Sequence, residues 1–464
     1  MAELIRPRRA LSTNPLKSSA PLGAAMAFLG IERGIPLFHG AQGCAAFAMV
    51  HMVRHFREAI PLQTTAMNEV TTILGGADQI EEAIGNLMKR ASPRFIGIAS
   101  TALTETRGED IAGELADIMA RRPDFAGLKV VYASTPDFEG ALEDGWSRAV
   151  TAIIDALVPD VDPMFCDRDL RQVNILPAAY LTPAEIDEIV RMIRAFGLKP
   201  IVLPDLSASL DGHLAEDWSG ASLGGTALDE IPAMARSAVT FAIGESMRAP
   251  ANLLAERGHM AVQVFPALTG LKAVDAFVSA LMRVAGTDDA PPAIRRDRAR
   301  AQDAMLDAHF QIGGLKYAIA ADPDLAYALS SALAGMGAEA VSAVTTSAAN
   351  PIVGAIPCTQ VLLGDLGDLE EGARAGGARL LISHAHGRHA AHALGLPLLR
   401  AGFPVNDRLG PQDVCRVGYR GTRAFFFEVA NVVLAHPHHP APEDFGAAPI
   451  EREFEHDRPQ TAPH

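Results

Sequence analysis

Short apolar runs, each followed by a helical pattern, recur along almost the whole chain, and this alternation restricts the fold more than any other feature of the sequence. The runs are Ile35 to Phe38, Phe95 to Ile98, Val130 to Tyr132, Val173 to Leu176, Ile201 to Leu203, Val239 to Ile243, Val262 to Phe265, Tyr317 to Ala320, Val361 to Leu363 and Leu380 to Ile382. Runs with no polar alternation read as strands buried on both faces, and strands separated by helices build βαβ units around a parallel sheet. At about 150 residues per domain, a chain of 464 residues accommodates three such units. The expected fold class is α/β, with three Rossmann-like domains whose mostly parallel sheets are flanked by helices.

Boundaries follow from linkers and composition. The first unit is expected over 1–168, the second over 169–290, and the third, with a C-terminal helix, over 291–435. The Pro-bearing linker Thr287 to Pro292 separates the last two, and the His- and Pro-rich segment 436–464 reads as a disordered polar tail. Helices are expected from about Asp78, from about Glu109, over Pro183 to Phe196 with Thr182 as N-cap, over Ala273 to Val284 and over Ile294 to Phe310. Asp322-Pro323-Asp324 reads as the cap of a further helix, and Asp205 to Gly225 as a long surface or functional loop.

Charge and cysteine usage narrow the function. With 40 Lys and Arg against 55 Asp and Glu, the formal charge of -15 argues against nucleic acid or an anionic membrane as main partner. Four cysteines, Cys44, Cys166, Cys358 and Cys415, stand without CxxC spacing, so neither a disulfide framework nor a zinc ribbon is indicated and reducing cytoplasm is the expected location. No run approaches the ~20 apolar residues of a membrane helix, and no signal-peptide pattern opens the chain. GxGxxG after a strand, GxxxxGK[ST] and HExxH are all missing, which disfavours dehydrogenases and P-loop NTPases despite the expected fold.

Cys44 is the most informative cysteine. It follows the strand Ile35 to Phe38 and the Gly-bearing turn His39-Gly40-Ala41-Gln42-Gly43, and it opens a helix in which Phe47, Val50 and Val53 recur at helical spacing. A thiol at a helix N-terminus is expected to have a depressed pKa and to ligate metal as thiolate, with Gly40 and Gly43 allowing close approach. A small core thiol under the turn is the competing reading, because one cysteine makes no metal site. Cys166, Cys358 and Cys415 read as structural thiols. A His group, His384, His386, His389 and His392, follows the last apolar run, and His436, His438 and His439 lie in the tail. With no carboxylate or cysteine beside it, the first group reads as histidines at an exposed helix start, and the tail as solvated.

Several segments carry a resemblance to a known family. NPLKSSAPLGAAMAFLGIE from Asn14, HGAQGCAAF from His39, HFREAIPLQTTAMNEV from His55, IASTALTETRGED from Ile98, RAQDAMLDAHFQIGGLKYAIA from Arg300, FPVNDRLG and VGYRGTRAF span most of the chain. Together they resemble the nitrogenase component-1-like family, in the branch serving as β-like half of the scaffold on which the iron-molybdenum cofactor matures. The resemblance implies pairing with a NifE chain in an α2β2 heterotetramer, transient docking of the reductase NifH, and a cofactor precursor held mainly by NifE. It assigns Cys44 as one ligand of an interface [4Fe-4S] cluster whose other three thiolates come from NifE. The two further cysteines of a catalytic β-subunit fall at Ser19 and Ala102, so that alternative is disfavoured. A protochlorophyllide reductase-like subunit and a cluster-free three-domain binding protein are the remaining alternatives. No independent catalytic site is expected on this chain.

Overall fold

The helix Ala20–Leu29, α1, is buried at all ten positions, which its composition of Ala, Gly, Pro, Leu, Met and Phe permits. It crosses the helix Leu142–Leu157 so closely that a Cβ on Gly23 would lie 1.9 Å from the Leu142 carbonyl oxygen and one on Gly145 would lie 1.8 Å from that of Ala20. Only glycine at both positions lets these two backbones touch.

The computed structural model describes residues 2–6, 12, 14–164, 167–214 and 219–436. The described strands form three parallel sheets. The first orders Gln63–Thr64, Gly34–His39, Phe95–Ser100 and Lys129–Ala133; the second orders Lys199–Val202, Asp169–Pro177, Ser237–Ile243 and Ala261–Phe265. The third has six strands: Glu3–Ile5, Gln360–Leu363, Glu339–Thr345, Lys316–Ala321, Leu380–Ser383 and Leu398–Arg400. All described pairings are parallel, so the expected α/β class with parallel sheets flanked by helices holds. Gly34–His39 and Phe95–Ser100 are buried throughout, as two-faced strands must be.

Local expectations are met at some positions and corrected at others. Glu3–Ile5, from the very start of the chain, extends the third sheet beside Gln360–Leu363. Thr182 caps its helix by accepting the Glu185 N–H at 3.1 Å, but Asp322 makes no cap bond, its carboxylate being taken by the Thr346 hydroxyl. Asp324 instead accepts the backbone N–H groups of Glu245 and Ser246, and Asn350 donates to both Asp324 and Glu143 at 2.9 Å. Residues from all three sheet units therefore meet in one buried polar joint. Burial there pushes the Glu143 carboxyl well above its ordinary range and Asp322 up to about 6. The connection after Asp205 is exposed at Leu214, and its later part is tied to the first sheet by Ser222, which donates to the Ile31 carbonyl at 2.6 Å and accepts the Gly34 N–H at 2.8 Å.

Candidate functional site

The parallel register of the first sheet brings the loops after His39, Thr64, Ser100 and Ala133 to one edge, the carboxyl edge where open α/β sheets bind ligands. The turn after His39 is held rigidly there. The Thr101 and Thr104 hydroxyls donate to the His39 carbonyl at 3.1 and 3.2 Å, while the Gly40 carbonyl accepts the Met67 N–H at 2.9 Å and the Thr64 hydroxyl at 3.2 Å. The buried His39 ring spans Thr65 Oγ1 at 3.1 Å and Glu109 Oε2 at 3.3 Å. Glu109 also accepts from Gly76 N–H and pairs with Arg107, so it anchors this turn, whereas Asp110 caps the helix by accepting the Gly113 N–H. Burial lowers the His39 pKa, opposed by Glu109.

From this turn the helix Gln42–Phe56, α2, begins with Ala41 as an extended N-cap. Cys44 lies in its first turn and is exposed, unlike a core thiol. Its pKa is raised rather than depressed: partial desolvation acts most, the Asp137 carboxylate adds to it, and the Cys44 N–H acts weakly in the opposite sense. The expected depression at a helix N-terminus is not found, because desolvation by the cavity wall, with a neighbouring anion added, outweighs the backbone N–H groups. The glycine reading also changes. A Cβ on Gly40 would lie 2.2 Å from Thr101 Oγ1, so Gly40 makes room for Thr101; Gly43 has nothing within 4 Å and opens onto the cavity.

That cavity has a volume of about 480 Å³ and is lined among others by Ser18, Ser19, Gly43, Cys44, His51 and Asp137. Ala102 joins its edge through its N–H, which donates to Asp137 Oδ2 at 3.3 Å. The positions Ser19, Cys44 and Ala102, far apart in sequence, thus converge, and only one supplies a thiol. Asp137 is the functional neighbour that spacing did not reveal. Replacing it by Asn should lower the Cys44 thiol pKa and raise its alkylation rate at mildly alkaline pH about two- to fourfold. Mass spectrometry of the Cys44 peptide from iron-free protein measures this; an unchanged or slower rate would contradict the assigned electrostatics.

The apolar stripe of α2 faces outward. Phe47 is 71% exposed and Val50 52%, while Ala45, Ala48, Met52, His55 and Phe56 form the buried face. Val70, Ile73 and Phe138, on loops and a short helix at the same sheet edge, are 62%, 79% and 60% exposed. Large apolar side chains left exposed at one sheet edge are of the kind that proteins bury against one another. Among the described residues no helix is long and apolar enough to cross a membrane.

The remaining candidates separate. Cys358 and Cys415 are half-buried, donate to the Ala340 and Val417 carbonyls, and have raised pKa values, that of Cys415 reaching about 12. Cys166, His438 and His439 lie outside the described residues, as does nearly all of the expected disordered tail. His384 is buried rather than exposed, with Nε2 donating to the Leu16 carbonyl at 3.1 Å and Nδ1 accepting the His386 N–H at 3.2 Å. His386 reaches the cavity, whereas His389 and His392 are exposed on the helix Arg388–Leu394. Among the described residues no group of three or more His, Cys, Asp or Glu is arranged to hold a metal ion.

These features define a class: α/β chains of three parallel sheets whose first sheet edge presents a thiol amid an apolar surface. The family of nitrogenase component 1 type oxidoreductases matches residues 19–434. Nitrogenase iron-molybdenum cofactor biosynthesis protein NifN of Rhodobacter capsulatus is 65% identical over 98% of each chain, that of Mesorhizobium japonicum 49% over 96% of this chain and 95% of the relative, and that of Klebsiella pneumoniae 39% over 95% of each. A solved structure titled nitrogenase Cp1 at pH 6.5 superimposes with TM-score 0.86 at 29% identity, covering 93% of this chain and 95% of that one. The chain belongs to the nitrogenase component 1 type oxidoreductase family.

Proposed function

We propose that this chain is the β-like subunit of a scaffold for iron-molybdenum cofactor assembly, and that Cys44 gives one thiolate to a [4Fe-4S] cluster shared with a NifE partner. The observation that carries the reading is an exposed thiol at a rigid turn, the only exposed one among the described residues, beside an apolar surface, with Ser19 and Ala102 supplying no thiolate. Such a donor set fits one corner of a cubane and not a whole cluster, so the other three cysteines belong to the partner. It does not fit the larger cluster of a catalytic β-subunit, which needs thiolates at the other two positions.

When bound, the cluster supplies one-electron transfer. The chain's own residues perform simpler tasks. The network from His39 to Glu109 fixes where Cys44 emerges, and Cys44 gives up its proton on ligation, so iron loading weakens as pH falls. Phe47, Val50, Val70 and Ile73 meet the partner and exclude water. In this reading the units 1–168, 169–290 and 291–435 work together in a cytoplasmic α2β2 heterotetramer, NifE holds most of the precursor, NifH docks transiently, and this chain carries out no acid-base catalysis.

Phe47→Glu tests the surface. A charge at the centre of a desolvated patch should weaken pairing by at least about tenfold, or ~1.4 kcal/mol. Co-purification of the variant with its partner, against the unmodified pair, reads this directly. Retention of the full complex together with normal iron would place the partner elsewhere.

A further inference from the structure

The buried joint between the three sheet units gathers acids and no base. Glu143 lies at the start of the helix Leu142–Leu157, Asp324 at the start of Pro323–Ala334, and Glu245 and Ser246 just after the strand Ser237–Ile243, so each unit sends one element into it. Glu143 and Asp324 are 2% and 0% exposed, and among the described residues neither is paired with Lys, Arg or His. The ionisable groups around them are acids too. Asp322 acts on Glu143, Asp144 acts on Asp322, and the Tyr180 hydroxyl, buried without a partner, feels Asp324, Glu185 and Glu143. Cations of the surrounding elements are engaged elsewhere, Arg248 by Glu245 and Arg416 by Glu428.

Hydrogen bonding distinguishes the two carboxylates. Asp324 accepts the Glu245 N–H at 3.0 Å, the Ser246 N–H at 3.1 Å and a bond from Asn350 Nδ2 at 2.9 Å. Gly244 makes this approach possible, because a Cβ on it would lie 2.6 Å from Asp324 Oδ2. Glu143 accepts a bond from Asn350 Nδ2 at 2.9 Å and the Asp324 N–H at 3.2 Å. One amide nitrogen touching both carboxylates holds them within the ~4–6 Å over which like charges oppose each other's ionisation. Out of water and with no cation between them, two anions repel with little screening, and neutralising one of them is the favourable solution.

We propose that Glu143 carries a proton at neutral pH while Asp324 stays ionised, so that the joint between the three units is held by a protonated carboxyl and loosens as pH rises. Asp324, with two backbone donors beside the amide, keeps its charge more readily; Glu143, with one, takes the proton. Burial raises both carboxyls, and the Asp324 and Asp322 charges raise Glu143 further. A carboxyl held above its unfolded range contributes stability that is complete below about pH 4 and is lost steadily as pH rises toward the folded value. Asp322 and Glu185, at about 6, have lost their share by neutral pH, which leaves the decline above pH 7 to Glu143. The joint does not involve Cys44 and stands or falls separately from the cluster reading.

Hydrogen exchange of the co-expressed complex at pH 6.5 and pH 8.5, read by mass spectrometry and corrected for the intrinsic pH dependence of exchange, tests this at the amides the joint protects. One titrating proton shifts an opening equilibrium up to tenfold per pH unit. Peptides covering Gly244 to Met247 and Pro323 to Ala326 should therefore open about fivefold or more faster at pH 8.5. In Glu143→Gln, which has no proton to lose, the ratio should fall to within about twofold, whatever its absolute stability. Glu82→Gln, at an exposed position on the helix Ala77–Ala91, should keep the unmodified ratio. The unmodified complex tests the proposal without any variant: a ratio near one there would overturn it. So would an undiminished ratio in Glu143→Gln, or the same loss in Glu82→Gln.

Discussion

Gly145→Val should prevent the chain from accumulating as folded protein. The Cβ alone would sit 1.8 Å from the Ala20 carbonyl oxygen, and backbone cannot swing aside as the end of a long side chain can. Both helices are committed on their other faces, since every residue of α1 is buried and Trp146, next to Gly145, is fully buried with its indole N–H donating to the Pro177 carbonyl at 2.8 Å. Separating them opens a core shared by the first two sheets. Overpacking commonly costs ~1–3 kcal/mol and more where backbone is struck, a large part of the ~5–15 kcal/mol that holds a typical domain folded. Gly43→Ala is the contrast: nothing lies within 4 Å of its Cβ, and folding should be unchanged. Soluble yield and denaturant midpoint of the two variants measure this. A Gly145→Val protein with an unaltered midpoint would show that the two helices can part without loss.

How much of this could be read from the sequence varied with the physics of each element. Ile35 to Phe38, Phe95 to Ile98 and Val173 to Leu176 were legible because strands covered on both faces are written as unbroken apolar runs. Glu3–Ile5 and Leu398–Arg400 are three-residue edge strands, and their partners lie elsewhere in the chain, so no local pattern announces them. In α2 the helical period was plain but its orientation was not. Phe47 and Val50 recur at helical spacing, which does not say which face is buried; the core takes Ala45, Ala48, Met52, His55 and Phe56, and Phe47 and Val50 face out. The position of Cys44 at a helix start was correct while its acidity was not, because the cavity wall that desolvates it, and then Asp137, reach it only through the fold.

Cys44→Ala in the assembled complex should leave folding intact, since an exposed side chain away from packing contributes within ~0.5 kcal/mol. Its effect should fall on the cluster. In the proposed cluster, three partner thiolates would still bind three irons, and the fourth would be left to water or a solute ligand, which makes that iron labile and shifts the potential. Partial iron loss, an altered EPR signal in the reduced state and a reduced yield of matured cofactor are expected together. Cys358→Ala and Cys415→Ala, whose thiols donate to backbone carbonyls, should keep the full iron content. The most direct measurement is iron per purified complex in Cys44→Ala beside the unmodified protein prepared identically. The account predicts a clear deficit confined to this variant; equal iron in the two would contradict it and leave Cys44 as an exposed thiol with no ligand role.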